Sequence, residues 1–232
     1  TMQRDSGVGL SAAALKWIAA AAMTADHIGI VFSAALPAGA QLILRTAGRI
    51  ALPLFCFFVA EGARRTGRPG RYALRLLAFA LVSEVPFDLM LAGRLFDLHR
   101  QNVLFTLLLG LLAVLAADRL RRRPAVAVLC ALALSGAAQL ARTDYGMFGV
   151  WLVLFFWLLP GASPPRAALL SVLLFWLGAA GGGLQTGLWQ LAGLLALPLI
   201  RLYGGRRGRG GKYAFYVYYP LHMLLLYLLS RL

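Results

Sequence analysis

The chain is short of charge and very short of acid. Of its 232 residues only 13% are Asp, Glu, Lys or Arg, and eight are acidic. A water-soluble domain carries about a quarter of its residues as charges, so the polar surface such a domain needs is missing. Cysteine is nearly absent: Cys56 and Cys130 both lie in apolar stretches without metal-ligand spacing and read as small buried hydrophobes. Three histidines, at 27, 99 and 222, have no zinc-binding spacing, so no metal is expected. There is no Walker A loop, no HExxH, no GxSxG and no CxxC, which removes the common nucleotide, zinc-protease, serine-hydrolase and redox signatures.

What is present is hydrocarbon. Hydrophobic residues make up 61% of the chain, in blocks close to the ~20 residues that cross a bilayer. The expected fold class is all-α, a polytopic membrane helix bundle in a single integral membrane domain over residues 1–232. About nine transmembrane helices are expected, with eight or ten as alternatives. The spans read as Ala14–Leu36, Ala40–Ala60, Tyr72–Leu91, Val103–Ala117, Ala125–Leu140, Gly146–Leu159, Ala167–Ala180, Gln185–Leu202 and Tyr213–Leu229. The first is too long for a secretory signal and others follow it. Gly181–Gly183 and Gly204–Gly211 read as loops.

The formal charge of +15 invites a nucleic-acid partner, but the basic residues sit in connectors and not along one soluble face. Arg64, Arg65, Arg68, Arg71 and Arg75 follow span two; Arg119, Arg121, Arg122 and Arg123 follow span four; Arg166 follows span six; Arg206, Arg207, Arg209 and Lys212 follow span eight. Nine crossings put all these clusters on one side, which the positive-inside rule makes cytoplasmic. The N-terminus, with Arg4 and Lys16, joins them, and the C-terminus faces outward. The expected location is a bacterial cytoplasmic (inner) membrane, with lipid headgroups as partners and no nucleic acid.

Ionisable residues inside hydrocarbon are expensive and mark function by default. With this orientation Asp26, His27, Arg45, Arg49, Glu84 and Asp88 fall in the outer half of spans one to three. His99, Arg100, Gln101 and Asn102 open span four from outside, and Arg142 and Asp144 close the loop before span six. Arg45 and Arg49 share a helix face, as do Glu84 and Asp88. Asp26 and His27 diverge by about 100°, so Asp26 is expected to answer an arginine of span two and leave His27 to a cavity. Asn102 is placed to cap span four. Pro53 and Pro86 favour kinks. His222 sits deep in span nine behind the aromatic pair Tyr218 and Tyr219. Two readings stand side by side: an ion-pair network holding spans one to three together, and an outer-face site with His27 as base.

The strings LKWIAAAAMTADHIG (Leu15–Gly29), GRIALPLFCFFVAEG (Gly48–Gly62), LVSEVPFDL (Leu81–Leu89), HRQNVLFTLLLG (His99–Gly110), DYGMFGV (Asp144–Val150) and KYAFYVYYPLH (Lys212–His222) resemble the TraX family, whose namesake acetylates the N-terminus of pilin. The family is similar to the wider group of transmembrane acyltransferases. Here Arg100 stands between His99 and Gln101, where the family pattern runs straight from His to Gln. The resemblance implies acetyl transfer from acetyl-CoA, offered on the cytoplasmic side, to an amine or hydroxyl acceptor opposite: a pilin N-terminus or a glycan-like substrate. It implies catalytic roles for His27, Asp26, His99 and Asn102, and substrate contacts from Arg45, Arg49, Glu84, Asp88, Gln101, Asp144 and His222. Asn102, Gln101 or Arg49 would face the developing oxyanion, and Arg64–Arg75 or Arg206–Lys212 the CoA phosphates. A proton-coupled permease and a non-enzymatic membrane scaffold are the alternative readings.

Overall fold

The computed structural model describes residues 9–160, 164–209 and 213–232; Arg4 and Lys212 lie outside them. The described chain is built of helices: α1 (Ala12–Val31), α2 (Ala38–Gly48), α3 (Ala51–Arg65), α4 (Pro69–Ala92), α5 (Val103–Arg119), α6 (Pro124–Leu140), α7 (Gly146–Leu158), α8 (Pro164–Gln190), a 3-10 turn (Leu191–Leu195), α9 (Ala196–Arg201) and α10 (Ala214–Leu229). Pro69, Pro124 and Pro164 each occupy the opening of a helix, where a missing N–H costs nothing. Among the described residues three helical stretches are long and apolar enough to cross a membrane unaided: Ala12–Val31, Ala38–Arg65 and Gly183–Arg201.

The burial pattern departs from that of a soluble protein at the surface, which is apolar like the core. Leu42, Ile43, Leu81, Leu129, Trp176, Leu188 and Leu225 are exposed, while Asp26, Arg49, Asp88, Asn102 and His222 are buried. An apolar exterior, with the few ionisable residues turned inward, is what a lipid solvent selects. The fold is a polytopic helical bundle.

Two local breaks position the site. The second apolar segment divides into α2 and α3 at Arg49–Ile50. Pro53, in the first turn of α3, has no N–H to offer the Arg49 carbonyl, so the ladder is interrupted there. Pro86 behaves differently, and α4 runs on through it. In α8, Gly183 takes a left-handed φ of +75°, and the chain folds back on itself. A Cβ on Gly178 would strike the Thr186 carbonyl, and one on Gly187 would come within 2.9 Å of the Phe175 carbonyl. A straight helix would hold residues eight apart at about 12 Å. The loop expected at Gly181–Gly183 is therefore a hairpin turn between two apolar helical segments, Pro164–Ala180 and Gly183–Arg201.

The chain forms two compact units, Thr1–Phe55 with Gly161–Leu232, and Cys56–Pro160. In the first, α1 and α2 are antiparallel, with Gly29 against Arg45 and Gly48 against Asp26. Helices α1 and α10 run parallel, Trp17 meeting Phe215 and His27 meeting His222. Helix α2 and the second half of α8 also run parallel, Thr46 bonding Trp189 and Pro53 touching Gly193. In the second unit α5 and α7 run parallel through two small-residue contacts, Thr106 on Gly149 and Gly110 on Val153, the close approach that membrane helices use for packing. Arg64 of α3 donates to the Phe156 and Trp157 carbonyls at the end of α7, at 2.6 and 2.5 Å, a cation satisfying a helix C-terminus.

Candidate functional site

In the first unit one carboxylate holds two guanidinium groups. Asp26 of α1 accepts from Arg49 and forms an ion pair with Arg45 at 2.7 Å. Spacing the arginines one turn apart on α2 puts both on the α1 side. Gly48 makes this possible: any Cβ there would overlap Asp26. Arg49 Nε also donates to the Arg45 carbonyl at 3.1 Å. Both guanidinium groups lie over the indole of Trp189, at 5.3 and 5.1 Å from the ring centroid, and Trp189 Nε1 donates to Thr46 Oγ1 at 2.7 Å. Among these described residues two positive charges stand against one negative.

His27 points away from that cluster, as adjacency to Asp26 requires, and meets His222 of α10. Its Nδ1 is 2.8 Å from His222 Nε2, and the rings are within 5° of parallel. The next bond fixes the protons. His222 Nδ1 lies 3.1 Å from the Tyr218 carbonyl, which can only accept, so His222 carries its proton on Nδ1. With both rings neutral, His222 Nε2 is then an acceptor, His27 Nδ1–H is the donor, and His27 Nε2 keeps an unshared pair. Tyr218 stacks on His222 with centroids 5.2 Å apart. Its hydroxyl lies 2.7 Å from Thr24 Oγ1, which donates to the Ala20 carbonyl. His222, expected among the substrate contacts, lies against His27.

The second unit gathers the other polar candidates. Asn102 caps α5 by accepting from the Leu104 N–H at 3.0 Å, and its amide donates to the Ala80 carbonyl at 2.8 Å and to Glu84. Asp88 accepts from the Asp97 N–H at 2.8 Å. Asp97 in turn accepts from His99, from the backbone N–H at 3.0 Å and from Nδ1 at 2.6 Å; these bonds hold its carboxyl below the usual carboxylate range. The His99 side chain is 76% exposed. Gln101 pairs through its backbone with the 142–144 segment, its N–H donating to the Arg142 carbonyl and its carbonyl accepting from the Asp144 N–H. Thr106 donates to the Asp144 carbonyl.

At the opposite end of α1 a basic strap closes over the helix start. The Ala12 and Ala13 N–H groups donate to the Arg206 and Arg207 carbonyls at 2.8 and 3.1 Å, and Arg206 Nη2 donates to the Gly9 carbonyl at 2.8 Å. Lys16 lies one turn on, over Phe215. From Lys16 to His27 is three turns, about 16 Å along the helix.

Asp26, His27, Arg45, Arg49 and His222 thus come together in one unit, and Glu84, Asp88, His99, Gln101, Asn102 and Asp144 in the other. Sequence reasoning missed Thr24, Trp189 and Asp97, and gave Tyr218 no role beyond its place in the aromatic pair before His222. Among the described residues no three His, Cys, Asp or Glu side chains are grouped to hold a metal ion.

Comparison with known proteins supplies the relationship. A "Probable fimbrial assembly protein FimC, serogroup H1" of Dichelobacter nodosus is 34% identical over 245 residues, spanning 94% of this chain and 95% of its own length. No solved structure matches the chain. The family model described as TraX protein matches residues 11–230, nearly the whole sequence, and the chain belongs to the TraX family.

Proposed function

We propose that the chain is a membrane-bound acetyltransferase that moves the acetyl group of acetyl-CoA from the cytoplasmic side to an amine or hydroxyl acceptor opposite, with the N-terminus of a pilin-like subunit as the leading acceptor. The observation that carries this is the tautomer chain from the Tyr218 carbonyl through His222 to His27. It leaves an unshared pair on His27 Nε2, inside a helix bundle, with the opposite nitrogen anchored. A general base needs this arrangement: an acceptor nitrogen or oxygen must lose its proton as it attacks, and a ring fixed in the wrong tautomer cannot take it.

The steps then balance. His27 Nε2 accepts the proton of the acceptor N–H or O–H as the new bond forms to the thioester carbonyl. The guanidinium charge of the Arg45–Asp26–Arg49 cluster, one residue along α1, opposes the charge that builds on the oxyanion. When the C–S bond breaks, the imidazolium returns its proton to the departing sulfur and His27 is regenerated. Lys16, Arg206 and Arg207 are proposed to hold the CoA phosphates; the stretch of α1 between Lys16 and His27 is comparable with an extended pantetheine arm. Asp26 acts here through the arginines. Asn102, already committed to a cap, a carbonyl and Glu84, is assigned to holding α4 against α5, and His99 to ordering the loop before α5. The basic connectors favour the cytoplasmic membrane with the α1 start inside. The names of the TraX family and of the fimbrial relative favour a pilin-like acceptor.

The test is release of CoA from labelled acetyl-CoA by purified protein in lipid nanodiscs, with pilin N-terminal peptides or glycans as acceptors, comparing wild type with His27→Ala. Acceptor-dependent turnover lost in the variant is expected. Dissipation of a solute gradient without any turnover of acetyl-CoA would instead make the protein a permease.

A further inference from the structure

The first unit contains a cavity of about 550 Å³ between α2 and the second half of α8, lined in part by Gln41, Leu42, Arg45, Gln185, Thr186 and Trp189. That volume is in the range of small-ligand sites. It lies near the Ala38 start of α2 and the Gly183 turn, at the end of the unit away from the basic strap. Arg45 is among its lining residues and pairs with Asp26, the neighbour of His27 in the α1 sequence.

Its chemistry is specific in three ways. Among the described lining residues the charge is positive, that of Arg45, and the carboxylate that answers it is shared with a second guanidinium. An ammonium would be repelled and a carboxylate attracted, and a guanidinium's planar fork of donors suits a carboxylate. The remaining polar lining is two primary amides and a hydroxyl on facing helices, which both donate and accept and so match the alternating N–H and C=O groups of a peptide backbone. The indole is not a bare stacking platform for a sugar ring, since two guanidinium groups lie over it and its N–H is bonded to Thr46.

From this we infer that the cavity seats the acceptor as a peptide, with an acidic side chain a few residues behind its N-terminal amine held by Arg45 and its backbone by Gln41, Gln185 and Thr186. The inference rests on the acetyltransferase reading for which amine reaches His27, and adds the acidic determinant and the site that reads it.

The experiment measures binding first and turnover second. Fluorescent peptides with a free N-terminus are made in pairs that differ only in Glu against Gln at each of positions two to six. Equilibrium binding to the protein in nanodiscs is read without acetyl-CoA. At least a tenfold preference for one Glu peptide is expected, falling to twofold or less in Arg45→Gln. Gln41→Leu, which leaves the ion pairs intact, weakens both members of the pair alike. Equal binding of every pair by wild type overturns the inference, as does a uronate-bearing oligosaccharide that outcompetes all the peptides. Acid-selective binding with no CoA release would sink the acetyltransferase reading and leave the site standing. Turnover without acid preference does the reverse.

Discussion

His27 and His222, 195 residues apart, share one proton between Nδ1 and Nε2 over 2.8 Å. The direction of that bond is set by a third group, the Tyr218 carbonyl, which has nothing to donate. A histidine base is commonly oriented by a carboxylate; in the mechanism proposed for this chain a second imidazole, itself tied to its own helix backbone, takes that place.

Removing the orienting ring should therefore impair the base without removing it. In His222→Phe the rate of acetyl transfer should fall by about 10- to 100-fold, less than the roughly 10²- to 10⁴-fold expected for His27→Ala. His222→Gln, whose amide oxygen can still accept from His27 Nδ1–H, should recover part of the loss. Steady-state kcat for the three variants decides it; a His222→Gln enzyme as slow as His222→Phe would count against the orienting role.

Asp26 is expected to matter for folding before chemistry. Its removal leaves two guanidinium groups facing each other in a low-dielectric setting, and breaking buried pairs of this kind costs about 3–5 kcal/mol. Asp26→Ala should lower the folded yield and the thermal midpoint in detergent sharply. Removing Arg49 as well, in Asp26→Ala/Arg49→Leu, should restore much of the loss. A double variant no better than the single one would show that the carboxylate does more than balance charge.

The loop before α5 should respond to acid. The Asp97 carboxyl is held low by its two bonds from His99, so its folded value lies below its unfolded one. The contribution is present above the unfolded carboxylate range, near pH 4, and is lost as pH falls through the depressed folded value. Protection of amides 97–101 against hydrogen exchange, corrected for intrinsic rate, should drop over that window. In Asp97→Asn the acid-dependent drop should be absent.

Topology can be checked at two sites. Single cysteines placed at Thr66 and at Leu98, in a background lacking Cys56 and Cys130, should be labelled from opposite faces by an impermeant maleimide. Thr66, beside the Arg64–Arg71 cluster, is expected to be reached from the cytoplasm alone; labelling from outside would reverse the orientation.

Much of this architecture is legible in the residues. The apolar blocks anticipate a polytopic helical bundle. Asp26 with its arginines, the Asn102 cap, the break before Pro53 and the turn at Gly183 follow from local chemistry: charge in hydrocarbon needs a partner, an open helix end needs an acceptor, proline lacks a donor. What stays hidden is lateral order. No periodicity says that α10 lies beside α1, so the bond between His27 and His222 has no signature, and Trp189 looks like any lipid-facing aromatic until α8 is seen folded back against α2. Asp97 was overlooked because acids in loops are ordinary; its importance comes from Asp88 and His99 on either side.

The pairing of α1 with α10 has a consequence for how the protein is made. The helix bearing His27 is made well before its partners: the strap over its N-terminal turn needs Arg206 and Arg207, and the ring beside it needs residue 222. A nascent or truncated chain that stops before α10 has its histidine in place but without a defined tautomer. The proposed activity would then switch on with completion of the bundle, and an α10 fragment supplied in trans becomes a direct handle on when it does.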